Sequence, residues 1–170
     1  GQGYVRYIRD YLFAKYLNDA PTIINKGISG NKVTDLRDRW QADVLDLKPD
    51  VLSIKIGINA PITGDIPKVG EGTKFAAQMW LEGIQAAGGL QVGDKKYPVE
   101  LVIEDSEAKA ESAVKANTKM ITEDGVLVII GPQASKEAIP AGGVANDYQT
   151  PMISPWSTNP DTTKNRPFVF

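Results

Sequence analysis

Short apolar runs recur along this chain, and an amphipathic stretch of about ten to fifteen residues follows most of them. That alternation limits the fold more than any other feature. Five runs read as strands: A at Thr22–Ile28, B at Val51–Asn59, C at Val99–Asp105, D at Val126–Gly131 and E at Met152–Pro155. Run D, VLVIIG, is apolar at nearly every position, as a strand covered on both faces must be. Apolar residues at helical spacing lie between the runs. They are Val5, Ile8, Tyr11 and Leu12, ending near Tyr16; Val33, Leu36, Trp40, Val44 and Leu47; and Phe75, Ala76, Met79, Trp80 and Ile84. Ala110, Ala113, Val114, Met120 and Ile121 mark a fourth helix, Ser135–Tyr148 a fifth, and FVF at 168–170 hints at one more strand. Parallel strands need a crossover connection, which a helix supplies. The expectation is one α/β domain over residues 1–170, a doubly wound, mostly parallel five-stranded sheet with helices on both faces.

Composition narrows the chemistry. With 42% hydrophobic and 24% charged residues over 170 positions, the chain has an ordinary globular balance. A net charge of −2 gives no general attraction to nucleic acid or to an anionic membrane. There is no cysteine and no histidine, which removes the thiolate nucleophile and the commonest general base and metal ligand. No D-x-[DN]-x-[DN]-G loop is present, no apolar run reaches about 18 residues, and the sequence opens on no secretory h-region. The expectations are no cofactor, no metal, no nucleic acid and no membrane, with localisation left open. GDKKYP at 93–98 reads as a solvated turn.

The first third, about residues 3–59, resembles the SGNH/GDSL hydrolases, a flavodoxin-like fold of esterases and lipases, through INKGISGN (Ile24–Asn31) and IKIGIN (Ile54–Asn59). The resemblance implies vestigial oxyanion-hole positions at Gly30 and Asn59, where backbone N–H and carboxamide donors stabilise a developing oxyanion. The family's GDS serine turn is not in the sequence, Ala60 stands where an aspartate follows the asparagine, and DxxH is impossible without histidine. Nucleophile, base and orienting group are all missing, so no esterase activity is expected.

The remainder, about residues 54–170, resembles the type I periplasmic binding proteins, the solute-binding proteins of ABC transporters for branched-chain and related amino acids. The matching runs include IKIGINAPITGD, AAQMWLEGIQAAGGLQVGDKKYPVELVIEDSEAK and VIIGPQASKEAIPAGGVANDYQTPMISPWSTNP. The resemblance implies that Ser135, Trp156, Ser157 and Thr158 hold an amino acid's carboxylate and ammonium. Short hydroxyls and free N–H groups at a helix N-terminus suit a carboxylate. The second lobe and the hinge strands of that family do not occur in the sequence, so weak amino-acid binding at most is expected.

The two resemblances overlap on IKIGIN. The leading reading of the sequence alone is an engineered chimera, a flavodoxin-like/Rossmann-like three-layer sandwich in which segments 1–59 and 54–170 share one sheet. A truncated solute-binding lobe is the alternative, and a crippled esterase the third possibility. The expected strand order is A–C–B–D–E, with every crossover right-handed. The helix at 3–16 would then lie beside that at 73–87, and strand A at the sheet edge would offer a route to an edge-strand dimer.

In such sheets ligands sit beyond the carboxyl ends of the strands. That crevice would be lined by Gly30, Asn59, Thr63, Asp105, Ser135 and Ser157. The competing reading makes Gly27, Gly30 and Gly57 turn glycines and Asn31, Ser106 and Ser135 helix caps. Trp40 and Trp80 are expected in the core. Trp156 is expected either as a pocket wall or as a cover over the seam. Glu104, Asp105 and Glu107 need no metal, since a helix N-terminus favours acids.

Overall fold

The β-branched and apolar run IKIGINA forms a strand because both of its faces find cover, and all seven of its residues are paired in register with one partner running the same way. A computed structural model describes residues 13–15, 22, 24, 33–47, 54–92 and 94–170 of the chain. In chain order the described elements are α1 (Val33–Trp40), β1 (Ile54–Ala60), α2 (Pro67–Ala86), β2 (Leu90–Val92), β3 (Lys95–Tyr97) and β4 (Val99–Asp105). After them come α3 (Ala110–Lys119), β5 (Val128–Ile130), α4 (Ser135–Asp147) and β6 (Met152–Ile153). α1 and α3 each widen into a single π-turn, Gln41–Leu45 and Met120–Asp124.

Four strands form one parallel sheet in the order β4-β1-β5-β6, which is the C–B–D–E part of the expected order. β1 pairs with β4 from Ile54↔Val99 to Ala60↔Asp105, and with β5 from Ile56↔Val128 to Ile58↔Ile130. Beyond β6, Val169 bridges Met152 in parallel, so FVF does extend the sheet. Strands D and E are shorter than expected, and B runs one residue further, to Ala60. Expected strand A and most of the first helix lie outside the described residues. Thr22 and Ile24 carry no regular structure and Phe13–Lys15 are helical. Among the described residues β4 is therefore an edge of the sheet.

α2 packs on one face, against β1 and β4, while α3 and α4 pack against each other over the opposite face. The chain is thus an α/β sandwich of three layers with a parallel sheet. Its main core lies between the sheet and the α3–α4 layer. Ala116, Met120, Ile121, Val126, Ile129, Ala145, Met152 and Val169 are buried there together. Gly57 is a mid-strand residue of β1 rather than a turn glycine, because a Cβ on it would stand 2.6 Å from the Met120 sulfur.

Three expectations about the α2 side are corrected. The helix begins at Pro67, not at Thr73, because proline is pre-organised for the first helical position. Its first turn also lies directly on the loop after β1, where a Cβ on Gly70 would be 2.1 Å from the Pro61 carbonyl oxygen. The second correction concerns its apolar stripe, since Phe75 is 67%, Met79 71% and Trp80 42% exposed. Trp80 is therefore not a core residue. Ala77, Leu81 and Ile84, one side of the helix further round, are the ones turned toward the sheet. Trp40 is half-buried. Thirdly, Lys95–Tyr97, within the stretch 93–98 expected as a turn, form the second strand of an antiparallel hairpin pairing Leu90↔Tyr97 and Val92↔Lys95. No described helix is long and apolar enough to cross a membrane.

Candidate functional site

All four sheet strands run parallel, so the loops after β1, β4, β5 and β6 open at one end of the sheet. Asp105, the last residue of β4, fastens two of them. Its carboxylate accepts from the N–H groups of Ile62, Thr63 and Glu107 at 3.0, 3.2 and 2.8 Å, and from the Thr63 hydroxyl at 2.6 Å. Burial works against its charge, but the Thr63 hydroxyl and those three N–H donors prevail and hold the carboxyl below its usual range. Glu107 and Ala108 then turn the chain with positive φ values of 52° and 54°. Asp105 and Thr63 are thus joined, as parts of a loop fastening.

The α4 end carries the hydroxyl cluster. Ser157 donates to the Ser135 hydroxyl at 2.9 Å and lies 2.6 Å from the Thr162 hydroxyl, while the Asn159 N–H reaches Ser135 at 3.3 Å. Ser154 donates to the Pro132 carbonyl at 2.6 Å, which staples the loop after β6 to the loop after β5. Ser135 is the first residue of a 13-residue helix whose N-cap, Ala134, offers no side-chain acceptor. The capping role considered for Ser135 is therefore corrected, and so is that of Ser106, which lies four residues before α3 and donates to Glu137. An uncapped first turn leaves backbone donors pointing out of the helix end. Thr158 is exposed, and Trp156 stands 58% exposed beside the cluster.

Asn59 does not line this crevice. It is fully buried, donating to the Ala113 carbonyl at 3.0 Å and to Asn117 Oδ1 at 2.8 Å. Its position at the end of β1 put it near the crevice in sequence terms, but the side chain alternates onto the α3–α4 face. Gly30 and Asn31 lie outside the described residues. The structure therefore brings together Ser135 and Ser157, places Trp156 and Thr158 in the same loop, and sets Asn59 beneath.

Several contributors carried no motif. Thr162 and Asn159 sit in and before a short 3₁₀ turn (Pro160–Thr162), with Asn159 accepting from the Asp161 N–H at 2.9 Å. Gln133 donates to the Thr73 hydroxyl at 3.0 Å and keeps its Oε1 without a partner. Only the STNPDT spacing, typical of an Asx-started turn, could have pointed to any of them. A groove of about 230 Å³ on the α3 side, lined by Glu104, Asp105, Ser112, Lys115, Ala116 and Lys119, is a different place. Lys119 is tied there to Glu104 at 2.6 Å and Asp124 at 2.9 Å, and Glu104 first, then Asp124, raises its pKa above the usual lysine range. Among the described residues no three acidic, histidine or cysteine side chains converge to hold a metal ion.

Comparison with known proteins places this geometry. The sequence profile of a family described as periplasmic binding protein matches residues 53–170. The chain is 34% identical over 111 residues to the Leu/Ile/Val-binding protein BraC3 of Rhizobium johnstonii, covering 65% of this chain and 29% of that protein. It superposes with a TM-score of 0.64, at 29% identity, on the branched-chain amino acid transporter substrate binding protein LivJ of Streptococcus pneumoniae, solved with isoleucine. That overlap covers 70% of this chain and 33% of the other. A stretch of 59 residues is 52% identical to an acetylxylan esterase of Geobacillus stearothermophilus, covering 35% of this chain and 27% of the esterase. The chain thus spans no more than about a third of the length of each.

Proposed function

Since the chain belongs to the periplasmic binding protein family, we propose that it forms most of one lobe of an amino-acid-binding solute-binding protein and receives the ligand's carboxylate at the N-terminus of α4. The family match and the relatives support this alternative better than the leading expectation of a scaffold without function. The observation that carries the reading is the cluster of Ser135, Ser157 and Thr162 hydroxyls at a helix end that no side chain caps. Each hydroxyl can rotate to donate, and the first-turn N–H groups add partial positive charge, which suits an anion. Exposed Trp156 supplies an apolar wall for the rest of the ligand. The relatives' own names support branched-chain amino acids as the ligands to try first. One lobe offers only part of a closed cleft, so affinity of about millimolar order is expected.

Thermal-shift titration with isoleucine, leucine and valine tests this, because a ligand above its Kd raises the melting temperature. The shift should vanish with isoleucine methyl ester, which lacks the carboxylate, and in Ser135→Ala. No shift with any of the three amino acids, or an equal shift in Ser135→Ala, would reject the site.

The 52% identity over 59 residues favours a second reading that concerns origin rather than activity. In it, the chain joins an esterase-type segment to the lobe, as the overlap on IKIGIN suggests. Protection of the Leu101 and Ile103 amides from hydrogen exchange in the full chain, lost when residues 1–52 are removed, would support a sheet shared between the two segments.

A further inference from the structure

Behind the hydroxyl cluster lies a layer of polar side chains with no access to water. Asn59, Ser106, Asn117 and Glu137 are all fully buried between the sheet and the α3–α4 pair. Asn117 passes the chain of hydrogen bonds from Asn59 on to the Ala141 carbonyl of α4 at 3.0 Å. Glu137 lies one helical turn before Ala141 on the same face of α4 and accepts from Ser106 through Oε2. Two acceptor oxygens in this layer have no donor, Glu137 Oε1 and Asn59 Oδ1. Buried acceptors without donors are costly, and a proton held on the carboxyl would turn one of the two into a donor.

We propose that Glu137 is a positioning residue of the ligand site, held as a neutral acid whose proton on Oε1 is donated to Asn59 Oδ1. The chain Ser106–Glu137–Asn59–Asn117 is then closed, tying the loop after β4, β1 and α3 to the first turn of α4. That turn carries Ser135, two residues before Glu137, so the closed chain sets where the helix end points. Neutrality also matters to the ligand. A carboxylate arriving at the N-terminus of α4 meets no opposing charge beneath it, whereas an ionised Glu137 would repel it. This second consequence rests on the proposed carboxylate site, while the proton itself does not.

The surroundings favour the neutral form. Burial pushes the Glu137 carboxyl above its usual range and the Asp105 charge adds to this, against the opposing pull of the Ser106 hydrogen bond and of Lys136. Lys136 is exposed and shared with Asp65 at 3.4 Å. α3 presents Ala113, Ala116 and Asn117 to α4, and Arg166 from the terminal loop is occupied by the carbonyls of Ile139 and Thr162.

The test is the pH dependence of melting, without ligand, in the full chain and in Glu137→Gln. A folded carboxyl raised above its unfolded value confers stability that is complete below the unfolded pKa of about 4.3 and lost as pH rises through the folded value. The native protein should therefore lose about 4 °C or more of melting temperature on that rise, beyond any loss in Glu137→Gln. A glutamine amide can both accept from Ser106 and donate to Asn59, so that variant should lack this part of the slope. In the infrared, a protonated-carboxyl band should persist at neutral pH in the native protein and be absent from Glu137→Gln, a readout that holds even if the variant folds poorly. Parallel melting profiles, or no such band, would overturn the proposal and mean an ionised Glu137. If the slope and band are present but isoleucine causes no shift at any pH, the proton stands and the ligand reading falls.

Discussion

Arg166 holds Ile139 across the gap between the terminal loop and the middle of α4. Its Nη1 donates to the Ile139 carbonyl at 2.5 Å and to the Thr162 carbonyl at 3.2 Å, and it lies over Gly142, where a Cβ would stand 3.1 Å away. The loop it fastens is the one that carries Ser157 and Thr162. Arg166→Ala should cost about 1–3 kcal/mol, read as a lower urea midpoint with unchanged slope. Arg166→Lys should recover only part of it, because an ammonium lacks the planar fork. An unchanged midpoint in Arg166→Ala would mean the clamp contributes nothing.

The glycines of α2 separate by what surrounds them. Nothing lies within 4 Å of a Cβ at Gly72 or Gly83, whereas at Gly70 it would meet the Pro61 backbone at 2.1 Å. Gly72→Ala and Gly83→Ala should each stabilise by about 0.5–1 kcal/mol through the unfolded chain. Gly70→Ala should destabilise by about 1–3 kcal/mol. Chemical denaturation of the three variants decides, and a stable Gly70→Ala would show that α2 does not start against the loop after β1.

Asp105 should make the protein acid-sensitive. Its folded carboxyl lies below the ordinary range, so its contribution is present above the unfolded pKa of about 3.9 and is lost as pH falls through the folded value. The stability difference between the native protein and Asp105→Asn should therefore be large at neutral pH and shrink below about pH 4. A difference that stays constant with pH would assign the effect to shape rather than to charge.

The uncovered stripe of α2 should be removable without harm. Phe75→Glu with Met79→Lys replaces side chains that are 67% and 71% exposed. Stability should change by about 0.5 kcal/mol or less per position, while binding of a hydrophobic dye by the native state should fall. A large loss of stability in the double variant would show that this stripe is packed against another part of the chain.

Much of this fold could be read from the residues. The four described sheet strands stand where β-branched runs predict them, and their order is the one the resemblance to the binding-protein lobe implies. What failed was side-chain direction. Phe75, Met79, Trp80 and Ile84 share the expected helical stripe, but of these only Ile84, together with Ala77 and Leu81, is turned inward. Periodicity identifies an apolar side without saying whether anything covers it. At the site, Ser135 and Ser157 were visible because both belong to turns after strands. Glu137 was not, because a buried acid on a helix looks in sequence like a surface residue, and Asn59 was expected in the crevice rather than beneath it. Only the packing of α4 against α3 puts them in one dry layer.

The hairpin of β2 and β3 stands at the start of β4, where the Ile54 N–H meets the Pro98 carbonyl at 3.0 Å. The seven residues of β4 then separate it from the Ser135 end by about 23 Å. No cysteine occurs in the chain, so one introduced at exposed Asp94 would be its sole thiol. A fluorophore or surface tether attached there would be a handle on the opposite end of the molecule from the hydroxyls, leaving that end free to face a solution of ligand.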